Sequence, residues 1–159
     1  MHNIRRQIPR VRLFEMGLCF EPASEGCVQT EKLAMVAAGT AYSEQWGKDT
    51  RAVDFYDVKA NVTMLLTNTK QLHRFRWLRG THPALHPGQS AALYQEERLV
   101  GHLGMLHPRL AAEWGLSSAM FLFEIELAEL QRGVIPQFQP ISKYPTVRRD
   151  LAIIVDQSI

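Results

Sequence analysis

The sequence predicts an α+β fold in which an antiparallel sheet is flanked by helices. Short apolar segments separated by turn residues are typical of strands joined as hairpins. Residues 54–68 instead repeat apolar side chains about every 3.6 residues, as an amphipathic helix does. A short segment with proline at its start and glycine at its end adds a second helix. Strands paired as hairpins together with a few helices are typical of an α+β fold.

Composition is that of an ordinary globular protein. Of 159 residues, 46% are hydrophobic and 21% are charged, which is enough to form a real core. Since 18 Lys and Arg face 16 Asp and Glu, the net charge of +2 gives no reason to expect nucleic-acid or membrane binding from bulk charge. The apolar runs fall short of the ~20 residues of a membrane span and residues 1–6 lack a signal-peptide core, so we expect a cytoplasmic protein. Cys19 and Cys27 are expected to be free thiols.

The first predicted strand, residues 11–20, is apolar on both alternating faces, with Glu15 and Gly17 as interruptions. A strand of this kind is expected inside a sheet. A second apolar run, residues 33–38, follows a loop rich in turn residues, so we expect the two segments to pair antiparallel. Glu15 would then face a cavity or a partner.

Asp54 is predicted to cap the amphipathic helix that ends near Asn68. Its carboxylate can accept hydrogen bonds from the N–H groups of the first turn. Asp57 adds a second negative charge near the positive end of the helix dipole.

The middle of the chain predicts further strands. Residues 75–77 form a half-buried strand, and residues 80–88 form a loop that two prolines make rigid. Residues 90–94 and 98–106 flank a polar turn and predict a hairpin.

The last third begins with a short helix at residues 107–114 and continues with a strand at residues 120–127. On that strand Glu124 and Glu126 share one face and the apolar residues share the other. A turn or two of helix follows and is predicted to end at Gly133.

We place a domain boundary after Gly133. Residues 1–133 form one module, and the prolines within residues 134–146 predict an extended linker. Residues 147–159 alternate apolar and polar side chains and predict the first strand of another, truncated domain. One strand cannot bury its own face, so its partners would lie elsewhere.

Histidines are candidate metal ligands, because His82 and His86 are four residues apart and His73, His102 and His107 add to the count. That spacing aligns two ligands only on a helix, which the neighbouring prolines exclude. The pattern therefore favours buried or loop-pinning histidines, and no metal-binding residue is expected.

Motifs for nucleotide binding and nucleophilic catalysis are missing from the sequence. The glycines are scattered rather than clustered before a helix, and no GxSxG elbow is present. We therefore expect no catalytic and no cofactor-binding residue. An alternative reading is an independent α+β enzyme with a pocket lined by Glu15, His86 and Glu124.

A second alternative is an RNA-binding module. Lys143, Arg148 and Arg149 cluster beside Tyr144. Basic side chains neutralise phosphates, and an aromatic ring offers a surface on which a base stacks. These residues are the candidates for a position near RNA.

Five segments carry a family resemblance: NIRRQIPRVRLFEMG (3–17), DFYDVKANV (54–62), THPALHPGQSA (81–91), GHLGMLHP (101–108) and YPTVRRDLAIIV (144–155). Taken in order, they resemble the beta subunit of bacterial phenylalanyl-tRNA synthetase. The match spans nearly the whole chain, which makes it more specific than any single motif.

The resemblance implies a non-catalytic module, similar to the core of a class II aminoacyl-tRNA synthetase and N-terminally incomplete, for residues 1–133. Residues 147–159 would begin a ferredoxin-like anticodon-binding domain. The active site would belong to the alpha subunit, against which this module packs in an α2β2 enzyme. That enzyme would use ATP and Mg to attach phenylalanine to tRNA(Phe), whereas this segment is expected to be structural, inactive in isolation and without a cofactor.

The resemblance also explains why this module is expected to be non-catalytic. A class II site needs arginines on its motif 2 and motif 3 strands to stabilise the phosphates of ATP. The first strand is similar in position to motif 2, but its centre holds Glu15. The late strand carries Glu124 and Glu126, which would repel a triphosphate. Arg12 is the basic residue of the first strand.

Overall fold

The computed structural model describes residues 6, 8–48, 50–131, 137, 138, 140, 141, 143–145 and 147–154. Its strands are β1 (Arg10–Pro22), β2 (Cys27–Gly39), β3 (Phe75–Arg79), β4 (Leu85–Gln95), β5 (Arg98–Leu106) and β6 (Met120–Glu126). Its helices are α1 (Phe55–Asn68), α2 (Pro108–Glu113) and α3 (Leu127–Gln131), with a 3-10 turn at Leu72–Arg74. The strands form one six-stranded sheet in the order β1-β2-β6-β5-β4-β3, and all neighbours are antiparallel. The predicted α+β class is confirmed.

The core lies between one face of the sheet and the helices α1 and α3. Side chains from four strands meet the apolar stripe of α1 and the end of α3 there, and burial of this apolar surface drives the packing. The buried cluster includes Leu33, Ala37, Leu93, Leu103, Phe121, Phe123, Ile125, Val58, Val62, Leu66 and Leu130. The opposite side of the sheet, which faces away from α1 and α3, is called the open face.

Helix α1 begins as predicted. Asp54 Oδ1 accepts a hydrogen bond from the Asp57 N–H at 2.9 Å, and Asp57 Oδ2 accepts one from the Asp54 N–H at 2.9 Å, which forms a reciprocal capping box. Arg51 also donates to both Asp57 oxygens, at 2.6 and 2.7 Å. These hydrogen bonds, with Arg51 contributing most, lower the pKa of Asp57 to about 2.

Arg51→Gln is expected to reduce the dependence of stability on acid pH. The depressed pKa of Asp57 means that its carboxylate stabilises the fold above the unfolded pKa of about 3.9. That stabilisation is lost as the pH falls towards the folded pKa of about 2. Urea unfolding between pH ~2 and ~5 measures the effect. Arg76→Gln, which removes a more exposed pair with Glu97 at 2.7 Å, is the control and should leave the slope nearly unchanged. An unchanged slope in Arg51→Gln would contradict the role of the pair.

β1 corrects one prediction, because it is the edge strand of the sheet and not an interior one. It pairs with β2 from Arg10 to Pro22, and no other described strand pairs with its outer side. Most of its side chains are exposed. Apolar side chains on both faces of a strand predict that both faces are buried. The pattern does not tell whether they are buried by the same chain or by another chain.

β4 corrects a second prediction. It begins at Leu85, so half of the predicted 80–88 loop is strand, and its pairing with β5 is irregular between Leu85 and Ser90. The Pro87 ring removes a backbone donor there, which explains why the ladder is interrupted at this point.

The end of the chain also differs from expectation. Residues 147–154 belong to no helix or strand, and their side chains are exposed, so the strand predicted for residues 147–159 is not formed in the described part. A strand without a neighbour has no hydrogen-bonding partners. Gly133, Pro136 and residues 155–159 lie outside the described residues. The division into module, linker and further domain stays a prediction.

Cys19 and Cys27 are free, as predicted. In the part of the chain that the structure describes, none of the helices has the length and apolar character needed to cross a membrane.

Candidate functional site: the open face and the edge strand

The open face brings together two of the acidic residues that stood out in the sequence. The register aligns Glu15 of β1, Ala34 of β2, Glu124 of β6 and His102 of β5 in one row across the sheet. Neighbouring strands lie about 4.8 Å apart, so Glu15 and Glu124 stand roughly 10 Å apart on either side of the small Ala34.

The charge of this row is mainly negative. Lys32 Nζ donates to Glu124 Oε1 at 2.8 Å and lies 3.6 Å from Glu21 Oε1. The hydrogen bond to Glu124 is the main reason that the pKa of Lys32 is raised. Glu15 has no hydrogen bond or ion pair within the described residues. Three carboxylates, of Glu15, Glu21 and Glu124, and one lysine, Lys32, therefore lie on this part of the open face.

Glu126, the second acidic residue of β6, is bound to Arg98. Arg98 Nη1 also reaches the buried Glu129 at 2.8 Å. The two glutamates of β6 thus hold the two nearby cations, Lys32 and Arg98, in ion pairs within the chain.

Arg12 is engaged with the backbone. Its guanidinium donates to the carbonyls of Val11 at 2.8 Å, Ala38 at 3.1 Å, Thr40 at 3.1 Å and, more weakly, Ala41 at 3.5 Å. Burial is the main reason that its pKa is lowered. Because side chains alternate along a strand, Arg12 lies on the sheet face opposite Glu15. It holds the end of β2 and the connection to α1, so it is not available to a phosphate on the open face.

An apolar groove of about 460 Å³ lies on the open face. Leu13, Ala34, Val36, Leu106, Trp114, Met120 and Leu122 are among its lining residues, with Glu15 and Glu124. His86 is not among them, so the structure assembles only two of the three residues of the alternative enzyme pocket. These carboxylates do not fit ATP, whose phosphates they would repel.

The histidines hold loops. His82, His86 and His107 each precede a proline, and each Nδ1 accepts the N–H two residues later, at 3.2, 3.0 and 3.1 Å. The loop-pinning prediction is confirmed for these three. His102 packs on His82 at 4.9 Å between ring centroids, and burial is the main reason that its pKa is lowered. Within the described residues, no group of three or more His, Cys, Asp or Glu side chains could hold a metal ion.

β1 displays an apolar stripe that sequence reasoning did not identify as a surface. Phe14, Met16, Leu18 and Phe20 recur at every second residue, so they share the face of β1 that looks towards the helix side of the sheet. Their exposed fractions are 75%, 58%, 54% and 61%. We call these four residues the β1 stripe. It is about 20 Å long, and contiguous exposed apolar surface of this kind marks an interaction site.

Lys143, Tyr144, Arg148 and Arg149 are exposed and lie outside helices and strands. Tyr144 is 85% exposed. Their proximity to RNA stays a prediction.

Comparisons with known proteins agree with this architecture. Residues 1–127 match the family model described as the phenylalanyl tRNA synthetase beta chain CLM domain. The chain resembles in fold a pyrrolysyl tRNA synthetase, PylSc, of Desulfitobacterium hafniense, with a TM-score of 0.53 and 14% identity over 82% of this chain and 44% of that one. At this identity the likeness supports the fold alone.

Beta subunits of phenylalanine–tRNA ligases are similar to this chain over nearly its whole length. The phenylalanine–tRNA ligase beta subunit of Coxiella burnetii is 48% identical over 158 residues, which cover 99% of this chain and 20% of that protein. The beta subunits of Pseudomonas syringae pv. tomato (44%, with 99% and 20% covered) and Vibrio vulnificus (43%, with 100% and 20% covered) are similar. The chain thus spans about a fifth of the length of these relatives. The six-stranded antiparallel sheet and these matches agree, and the chain belongs to the phenylalanyl-tRNA synthetase beta chain family.

Proposed function

We propose that this chain is a structural, non-catalytic segment of a phenylalanyl-tRNA synthetase beta subunit. It supports the alpha subunit in an α2β2 enzyme of the cytoplasm that attaches phenylalanine to tRNA(Phe) with ATP and Mg. Both ligands act in the alpha subunit, and this segment binds neither of them.

The observation that carries the proposal is the placement of charge around the open face. Arg12, the basic residue of the predicted first strand, is bound to backbone carbonyls on the other face of the sheet. Glu15 and Glu124 place two negative charges on the open face, and these would repel a triphosphate. Because developing negative charge in adenylate formation requires preorganised donors, this arrangement supports a scaffold and not a catalytic site.

The β1 stripe supports the second half of the proposal. Four large apolar side chains on an edge strand are costly to leave in water, and an uncovered edge invites pairing with another chain. A companion subunit that packs on β1 removes both liabilities. Such a subunit is implied by the name of the relatives, which are called beta subunits.

Lys143, Tyr144, Arg148 and Arg149 are proposed to lie near tRNA in the assembled enzyme. Their exposure and their mixture of basic and aromatic side chains support this role. Arg148→Ala with Arg149→Ala should then weaken tRNA binding by the enzyme and reduce its salt dependence. Equal binding and an equal salt slope would contradict this assignment.

Calorimetry of this chain with ATP, and separately with phenylalanine, tests the non-catalytic assignment. We expect no binding at concentrations up to about 1 mM, because a Kd of 1 mM already corresponds to only about 4 kcal/mol of affinity. The assembled enzyme is the positive control in the same buffer. Micromolar binding of ATP to this chain would overturn the assignment.

A further inference from the structure

The apolar groove on the open face has the size and chemistry of a binding site. Its volume of about 460 Å³ lies within the range of roughly 300–1,000 Å³ that is common for ligand sites. Ala34 and Leu122 lie on its central strands, Leu13 lies on the edge strand, and Trp114 follows α2. A large apolar side chain would be covered on several sides there.

The negative charge beside the groove favours an occupant that carries a positive charge. Glu21 and Glu124 share one cation, Lys32, and Glu15 adds a third negative charge on the same face, so the local charge is negative. Glu15 is without an ion-pairing partner in the described part of the chain. The complement of this surface is a cationic group attached to, or next to, an apolar one.

The rim indicates that the occupant is larger than the cavity. Leu13 is 52% exposed and Trp114 is 44% exposed, so apolar surface continues beyond the groove itself. Leu13 also lies on β1, directly before Phe14 of the β1 stripe on the other face. A chain that covers the stripe and passes over the free edge of β1 therefore arrives at the groove.

We propose that the groove receives a segment of the companion subunit in which a Lys or Arg adjoins a large apolar side chain. The apolar side chain lies over Val36 and Leu122, and the cation lies in the neighbouring row, over Ala34 and beside Glu15. The companion subunit thereby clasps edge strand β1 from both faces. This inference rests on the proposed function, because it assumes that a companion subunit packs on β1.

Charge reversal in the full-length enzyme tests the inference. Glu15→Lys is expected to raise the dissociation constant between the two subunits about tenfold or more at low salt, and to flatten its dependence on salt. Glu44→Lys makes the same change of charge at an exposed loop position that belongs neither to the groove lining nor to the β1 stripe, and it should change the constant less than about twofold. Because Glu15 is exposed and unpaired, the variant chain should fold, which thermal unfolding checks. Equal constants for Glu15→Lys and wild type, or an equal loss in Glu44→Lys, would overturn the proposal.

A second variant tests the groove apart from the charge. Ala34→Phe fills the floor of the groove without a change of charge, and it should weaken subunit association by about tenfold or more. Association as tight as wild type would overturn the docking of a side chain in the groove.

The wild-type and Glu15→Lys proteins also test two other possible occupants of the groove, a small amine and a second copy of this chain. Saturable binding of phenethylamine to this chain, with subunit association unaffected by Glu15→Lys, would assign the groove to a small amine and overturn the proposal. Self-association of this chain that Glu15→Lys abolishes would assign it to a second copy, with the same consequence. Because neither measurement involves ATP, failure here leaves the non-catalytic assignment standing, and ATP binding would refute that assignment separately.

Discussion

Phe14→Thr combined with Leu18→Thr is expected to weaken assembly of the two-subunit enzyme by about a hundredfold or more. Large apolar side chains at the centre of an interface commonly contribute about 2 kcal/mol or more each, and a hundredfold change corresponds to about 2.7 kcal/mol. Threonine is β-branched and therefore suits a strand, so β1 itself should persist. Since both side chains are exposed in this chain, its own unfolding midpoint should move little.

The control for this experiment is Tyr56→Ala with Met64→Ala. These two residues of α1 are also highly exposed, at 72% and 62%, but they point away from the core on the outer side of the helix. Removal of similar apolar area there should leave assembly within about twofold of wild type. Sedimentation of the purified subunits over a range of concentrations measures each dissociation constant. A similar loss in both double variants would show that general surface hydrophobicity, and not the β1 stripe, holds the partner.

Gly39→Ala is expected to destabilise the chain by about 3 kcal/mol or more. Gly39 ends β2 with a φ of +79°, and an added Cβ would lie 2.0 Å from the Pro9 carbonyl oxygen. That oxygen accepts a hydrogen bond from the Thr40 N–H at 2.8 Å, so it cannot move without a further loss. The neighbouring carbonyls of Ala38 and Thr40 also bind Arg12, and the substitution should therefore loosen the connection to α1.

Gly47→Ala separates the cost of the positive φ from the cost of the clash with Pro9. Gly47 has a similar φ of +74°, but an added Cβ would meet no atom within 4 Å. Its cost should be that of a left-handed alanine alone, about 1–2 kcal/mol. Guanidinium unfolding of both variants gives the difference, which reports the clash with Pro9. Equal midpoints would mean that the backbone near Pro9 adjusts freely, contrary to the packing described here.

Local features were predictable from neighbouring residues. Asp54 and Asp57 are three residues apart and close a capping box by themselves, whatever the rest of the chain does. Pro108 at the first turn of α2 and Gly115 just after it, with a φ of +64°, mark both ends of a short helix in the same way. The polar turn between β4 and β5 joins two adjacent strands, and so its hairpin was also predicted.

Features that depend on distant contacts were not predictable. Glu15 and Glu124 meet across Ala34 only because β2 lies between β1 and β6, an order that no local pattern encodes. His86 was grouped with them by residue type, yet its Nδ1 is used by the Gly88 N–H and it lies outside the groove. By residue type Arg12 is a candidate phosphate ligand, and only the tertiary structure shows that it binds the carbonyls of Ala38 and Thr40.

The sequence by itself determined the class of fold, the positions of most strands and helices, and the family. The fold class, the element positions and the family follow from periodicity, helix caps and the order of motifs, which are all local features of the sequence. Only the tertiary structure decided that β1 is an edge strand with Phe14 to Phe20 exposed, that Arg12 is bound to the backbone, and that the open face is acidic. The physical reason is that strand order and register result from long-range pairing, and a residue's partners and exposure depend on that pairing.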